Sequence, residues 1–232
     1  MPSRLPTQGT RQMSLLPPDS RILSAAELLL GAFLVIGHNV FRVVPNEVPI
    51  LFVLGLLSTR LRNGGCAAMG LRRPPSWARI LQLAIAAAAV RILLGEFVVD
   101  PLTRLVWPPP VGSSVIEATT GNLKAAVMTL LIVWTFAAFG EEIGYRGYLL
   151  KRAADLGRGS SAAYWIGVVV ISVLFGYGHY YKGPAGVVDS AVAGLVWGVA
   201  FMLSGRNLWV TILGHGLQDT FAVVVYFFGW QS

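Results

Sequence analysis

Seven apolar stretches joined by short polar links dominate this chain, at roughly residues 23–44, 47–61, 78–99, 123–145, 161–180, 186–204 and 207–229. A helix needs about 20 mostly apolar residues to cross the hydrocarbon of a bilayer. The pattern therefore predicts an all-α fold, a polytopic transmembrane helix bundle of about seven spans, within a range of six to eight. The second stretch is short, and Arg91 and Glu96 interrupt the third. Both are expected to tilt, to lie partly in the interface or to pack inside the bundle.

Composition supports lipid as the solvent. Hydrophobic residues make up 55% of the 232 and charged residues 12%, with a mean hydropathy of +0.65, whereas a soluble domain carries about 25% charged residues. A net charge of +7 raises the question of nucleic acid. The basic residues are spread over the loops without an aromatic-interleaved stripe, so no nucleic-acid partner is expected, whereas membrane lipid is. The single cysteine, Cys66, excludes an internal disulfide.

Basic residues flanking spans stay on the cytoplasmic side. With the N-terminus inside, Arg4, Arg11 and Arg21, then Arg60, Arg62, Arg72, Arg73 and Arg79, then Arg146, Lys151, Arg152 and Arg158, and finally Arg206 fall inside, which is most of the 18 Lys and Arg. Arg42, Arg104, Lys124 and Lys182 fall outside, and Arg91 lies within a span. The chain is expected to divide into a disordered cytoplasmic tail (1–21), N-terminal transmembrane helices with a long outside loop (22–122), and a C-terminal transmembrane core (123–230) that holds the candidate residues described below. Pro108, Pro109 and Pro110 stiffen that loop.

Ionisable groups inside spans are costly unless paired or hydrated, so each is a functional candidate. Gly140-Glu141-Glu142-Ile143-Gly144-Tyr145-Arg146 is expected to close the fourth span. Glu142 and Arg146 stand four apart on one helical face, and Glu141 points about 100° away. Arg146 would neutralise Glu142, leaving Glu141 free to face a cavity as a general base. Phe175 and His179, and likewise His215 and Asp219, form further pairs four residues apart. A water held between Glu141 and His179 would be a nucleophile for amide hydrolysis, with His215 and Asp219 stabilising the oxyanion. Two solvated carboxylates at an interface are the plainer alternative for Glu141 and Glu142. Zinc is the competing chemistry, but the chain has no His-Glu-x-x-His helix and no cysteine cluster.

These motifs resemble the CPBP family of intramembrane proteases, which contains the CAAX prenyl endopeptidases and bacterial Abi-type proteins related to bacteriocin immunity. Glu141, Glu142 and Arg146 match Glu-Glu-x-x-x-Arg, Phe175 and His179 match Phe-x-x-x-His, and His215 and Asp219 match His-x-x-x-Asn/Asp. The resemblance covers roughly residues 123–220 and implies that Glu141 and His179 activate water, that His215 and Asp219 bind the oxyanion, and that Glu142, Arg146 and Phe175 are structural support. It implies an intramembrane endopeptidase in a bacterial inner (plasma) membrane, glutamate-type rather than metal-dependent, with no required cofactor and zinc as the alternative. Cleavage is expected near the cytoplasmic face. The peptide or protein substrate could be a prenylated CAAX-type peptide, a secretion-linked precursor or a sorting tail. A non-catalytic immunity or scaffold protein and a small proton-coupled transporter are the competing readings.

Two positions depart from the family pattern. Gly144 costs about 1 kcal/mol of helix stability relative to Ala and would admit a close neighbour. Asp219 stands where many members carry Asn. An ionised carboxylate cannot donate to an oxyanion, so Asp219 is expected either to stay protonated or to hold His215 as imidazolium.

Overall fold

Five of the helices in this chain begin where a short polar side chain accepts a backbone N–H. In the computed structural model, which describes residues 15–18, 20–107 and 118–230, Ser20, Asn46, Ser76, Asn122 and Ser160 each accept such a bond at a helix start. Seven helices follow in order: α1 (Arg21–Asn39), α2 (Glu47–Asn63), α3 (Trp77–Arg104), α4 (Leu123–Leu156), α5 (Ser161–Tyr177), α6 (Gly183–Leu203) and α7 (Trp209–Phe228). No strand occurs among the described residues. The Pro108–Pro110 turn and most of the tail lie outside them.

Five of the helices, α1, α3, α4, α7 and the Tyr180–Leu203 segment containing α6, are long and apolar enough to cross a membrane, and α5 is a shorter apolar helix. Their outward faces carry large apolar side chains such as Phe33, Ile85, Ile166 and Val173, the pattern that lipid contact favours. The short α2 packs one face on α4 and leaves Val53 and Leu57 exposed on the other. Its Gly55 lies against Tyr148, and a Cβ on Gly144 of α4 would stand 3.1 Å from Leu51 Cβ. The glycine expected to admit a close neighbour therefore faces α2.

Two expectations need correction. The fourth span does not close at residue 145, because α4 runs on to Leu156. Glu141 is thus well inside a helix, and Arg146 is buried rather than part of an inside loop. Charge does not end the helix because the charges from Glu142 to Asp155 are paired. Arg146 meets Glu142, and buried Arg152 meets both Glu27 of α1 and Asp155. Arg62 of α2 also meets Glu27. Of the stretch read as a disordered tail, residues 15–18 and 20 are instead held on α2: Leu15 and Leu16 donate to Leu61 O, and Arg62 donates to the carbonyls of Pro17, Pro18 and Ser20.

Arg91, which interrupted the third stretch, packs inside the bundle. Its Nη2 lies 2.6 Å from Asp189 of α6, an acid that had no assigned role in the sequence. The bundle consequently has two unlike ends. The links 63–77, 156–161 and 203–209 gather at the basic end, and the α1–α2 and α5–α6 turns lie at the other.

Candidate active site

Phe175, near the end of α5, is the centre about which the polar residues are arranged. The ring of Tyr145 meets it edge-on at 5.0 Å, His179 lies 4.7 Å away and His215 6.3 Å away, while the Arg146 guanidinium sits over its face at 4.2 Å. Three helices are tied together by this one aromatic side chain. A Cβ on Gly178 would meet the Tyr145 hydroxyl at 2.6 Å, so the approach of α4 to the end of α5 requires glycine there.

Between residues 133 and 149 the α4 backbone is wound more widely than an α-helix, and the N–H of Leu150 bonds back five residues to Tyr145 O. Such wide turns are concentrated at functional sites. Glu141 and Glu142 lie in this segment and have different surroundings. Glu142 is fully buried, and its Oε1 accepts from Arg146 Nη1 at 3.0 Å and also from His215 Nδ1 at 3.0 Å. The second bond was not foreseen. Glu142 does more than balance Arg146, since it also fixes the imidazole of His215.

His215 is held on every side. Nε2 lies 3.5 Å from Asp219 Oδ2, and Trp197 stacks on the ring at 5.7 Å. A carboxylate at each ring nitrogen is the environment that an imidazolium, with its two N–H donors, satisfies. The Gly216 position next to it is occupied closely by Trp134, which a Cβ would meet at 2.5 Å. His179 is oriented differently. Its Nδ1 lies 3.0 Å from Phe175 O, and a carbonyl can only accept, so Nδ1 carries the proton and Nε2 presents a lone pair.

Glu141 and His179 line one cavity of about 210 Å³. Oε2 of Glu141 is buried with no hydrogen-bond partner among the described residues. His215, Asp219 and Glu142 lie within electrostatic range of the same carboxylate. Glu141 and His179 thus share the cavity, while His215 and Asp219 of α7 lie near Glu141 but are not among the residues that line it.

Residues 123–221 match the model of a family described as Type II CAAX prenyl endopeptidase Rce1-like. This segment belongs to the CPBP/CAAX protease family. No curated protein and no solved structure matches the chain. The family match begins at the first residue of α4 and contains all seven motif residues. At family level the matched segment is that of a CAAX-type intramembrane protease, and the five long apolar helices of the chain mark an integral membrane protein.

The cavity of this protease segment is not made by the matched residues alone. His38 and Asn39 from the end of α1, and Asn46, Glu47 and Val48 from the start of α2, complete its wall. Buried Glu47 accepts from Asn39 Nδ2 at 2.8 Å and from the Tyr145 hydroxyl at 3.4 Å, and His38 Nε2 stands 3.7 Å away. Neither His38 nor Glu47 stands out in the sequence, because both sit at span ends, where an acid in a first turn is ordinary. The one available signal was Glu47 itself, a carboxylate immediately before an apolar run.

A metal does not fit the donors as arranged. Among the described residues no three His, Cys, Asp or Glu side chains converge as a ligand set, and both nitrogens of His215 face carboxylates of their own. No step below passes through a metal.

Proposed function

We propose that the protein is an endopeptidase that hydrolyses a peptide bond with a water activated by Glu141 and His179. The observation that carries this reading is the cavity that Glu141 and the Nδ1-protonated His179 both line, together with a buried carboxylate oxygen of Glu141 that has no hydrogen-bond partner among the described residues. A water between Glu141 Oε2 and His179 Nε2 loses its proton as its oxygen attacks the carbonyl carbon. The same proton is then delivered to the leaving amine, so that acid and base duties alternate on one pair. His215 Nε2–H is the donor for the oxyanion, because Nδ1 is committed to Glu142. Asp219 Oδ2, 3.5 Å from Nε2, supplies opposing charge that favours the imidazolium while leaving the N–H to turn to the oxyanion, which answers the departure from Asn: the acid supports the donor and need not donate itself.

Orientation bears on the substrate. The cavity is lined from the α1–α2 turn and the α5–α6 turn, at the end of the bundle opposite the basic links. If the basic end is cytoplasmic, as the distribution of Lys and Arg favours, the cavity opens on the other face. This replaces the expectation of cleavage near the cytoplasmic face, which rested on Glu141 at a helix end. A secretion-linked precursor or a sorting tail then suits the site better than a cytoplasmic prenylated peptide. The membrane is a bacterial inner membrane in this reading.

The test compares membrane and secreted proteins from cells carrying the wild type, Glu141→Gln or His179→Ala. Each variant is expected to lose a cleavage product by roughly 10²-fold or more, and activity is expected to survive a chelator. An unchanged set of products in both variants would sink the protease reading. Orientation is read separately with Arg42→Cys and Arg158→Cys in a Cys66→Ser background. An impermeant maleimide should label the first and spare the second in intact cells.

A further inference from the structure

A second cavity, of about 170 Å³, lies at the basic end of the bundle and is lined by none of the four residues assigned to the hydrolysis. Four cations line it: Arg72, Arg146, Lys151 and Arg206. No carboxylate is among the described residues of its lining, although Lys151 is paired with Asp155 just behind.

The walls are fixed by bonds between two distant links. Arg72 Nη2 donates to Gly205 O, Asn207 Nδ2 donates to Arg72 O, and the Leu208 N–H donates to Gly70 O. Gly70 has a φ of 95°, and a Cβ there would meet Arg206 O at 2.6 Å. Arg206 itself takes a φ of 62° and lays its guanidinium over the Tyr164 ring at 4.6 Å. The two links are thereby clasped so that arginines from each converge. Arg146 supplies a further observation: it is only 2% exposed, and its Nη2 has no hydrogen-bond partner among the described residues.

Four cations line this cavity, Arg146 and Lys151 each paired with one carboxylate outside it, and Arg146 keeps a buried donor without a partner among the described residues; the set suits a tetrahedral oxyanion, which accepts several charge-assisted bonds at once. Basic pockets between transmembrane helices on the cytoplasmic side are suited to lipid head groups. We propose that this cavity binds a phosphate group, either that of an anionic phospholipid head group in the adjoining leaflet or free phosphate. The site is independent of the protease reading and stands whether or not the chain cleaves peptides.

The experiment measures the Tm of the full chain in nanodiscs of phosphatidylcholine, of phosphatidylcholine with phosphatidylglycerol, and of phosphatidylcholine with inorganic phosphate added. A site held near 100 times its Kd raises Tm by roughly 5–10 °C for a chain of this size. A rise with phosphatidylglycerol alone identifies the lipid, and a rise with inorganic phosphate identifies the free ion. The rise should fall by at least half in Arg72→Gln/Arg206→Gln and persist in Arg158→Gln, which removes an exposed cation from the same end of the bundle but outside the cavity. Because each variant is compared with itself in phosphatidylcholine, a general loss of stability does not imitate loss of the site. No rise under either condition, or equal loss in the Arg158 variant, overturns the proposal.

Discussion

The segment from 123 to 221 and the helix pair α1–α2 meet at one cavity but advertise themselves very differently. The first carries its functional residues as pairs spaced four apart, which a helix turns into shared faces whatever surrounds it. The second contributes His38, Asn39 and Glu47 from the two sides of a turn, eight or nine residues apart, and only the packing of α2 on α4 brings Glu47 to Tyr145. Chemistry encoded along one helix is legible locally, whereas chemistry assembled between helices is not.

The sharpest way to break this contrast is at Arg146, which serves both the matched segment and the basic end. Arg146→Gln leaves Glu142 buried with its carboxylate short of a cation, and breaking a buried pair in this way costs about 3–5 kcal/mol. Thermal unfolding in detergent should show a large drop in Tm, and the amount of folded protein in membranes should fall. An unchanged Tm would mean that His215 alone neutralises Glu142.

Glu47→Gln comes next and tests whether the N-terminal pair belongs to the site. The amide keeps the bulk but weakens the acceptor for Asn39 and Tyr145, and roughly a tenfold loss of cleavage rate is expected, from a lost charge-assisted bond of about 1.5–3 kcal/mol. A rate equal to wild type with equal Tm would confine the site to residues 123–221. Asp219→Asn has a smaller expected effect, a several-fold fall in rate with an altered pH profile, because Nε2 of His215 retains an acceptor but loses the opposing charge. Full activity with an unaltered profile would remove any special role for the acid.

Gly144→Ala is the mildest change. The added Cβ meets Leu51 Cβ at 3.1 Å, a gap that neighbours can open by a few tenths of an ångström. Crowding of about 1–3 kcal/mol is set against the gain of about 1 kcal/mol in helix propensity. A Tm within a few degrees of wild type is expected, and a large fall would show that α2 and α4 cannot separate at all.

The sequence by itself determined the helical bundle, the pairing of Glu142 with Arg146, and the presence of Glu141, His179, His215 and Asp219 on three segments, because apolar length and a spacing of four are properties of a single helix. It misplaced the end of the fourth span, since charges were read as a boundary when Glu27, Glu142 and Asp155 neutralise them from within the bundle. Only the tertiary structure decided that Glu142 grips His215, that Glu47 joins the cavity and that the cavity lies at the end remote from the basic links. Each of these depends on which helices stand side by side, and hydrogen bonds between residues 73 or 98 positions apart leave no periodic trace in the chain.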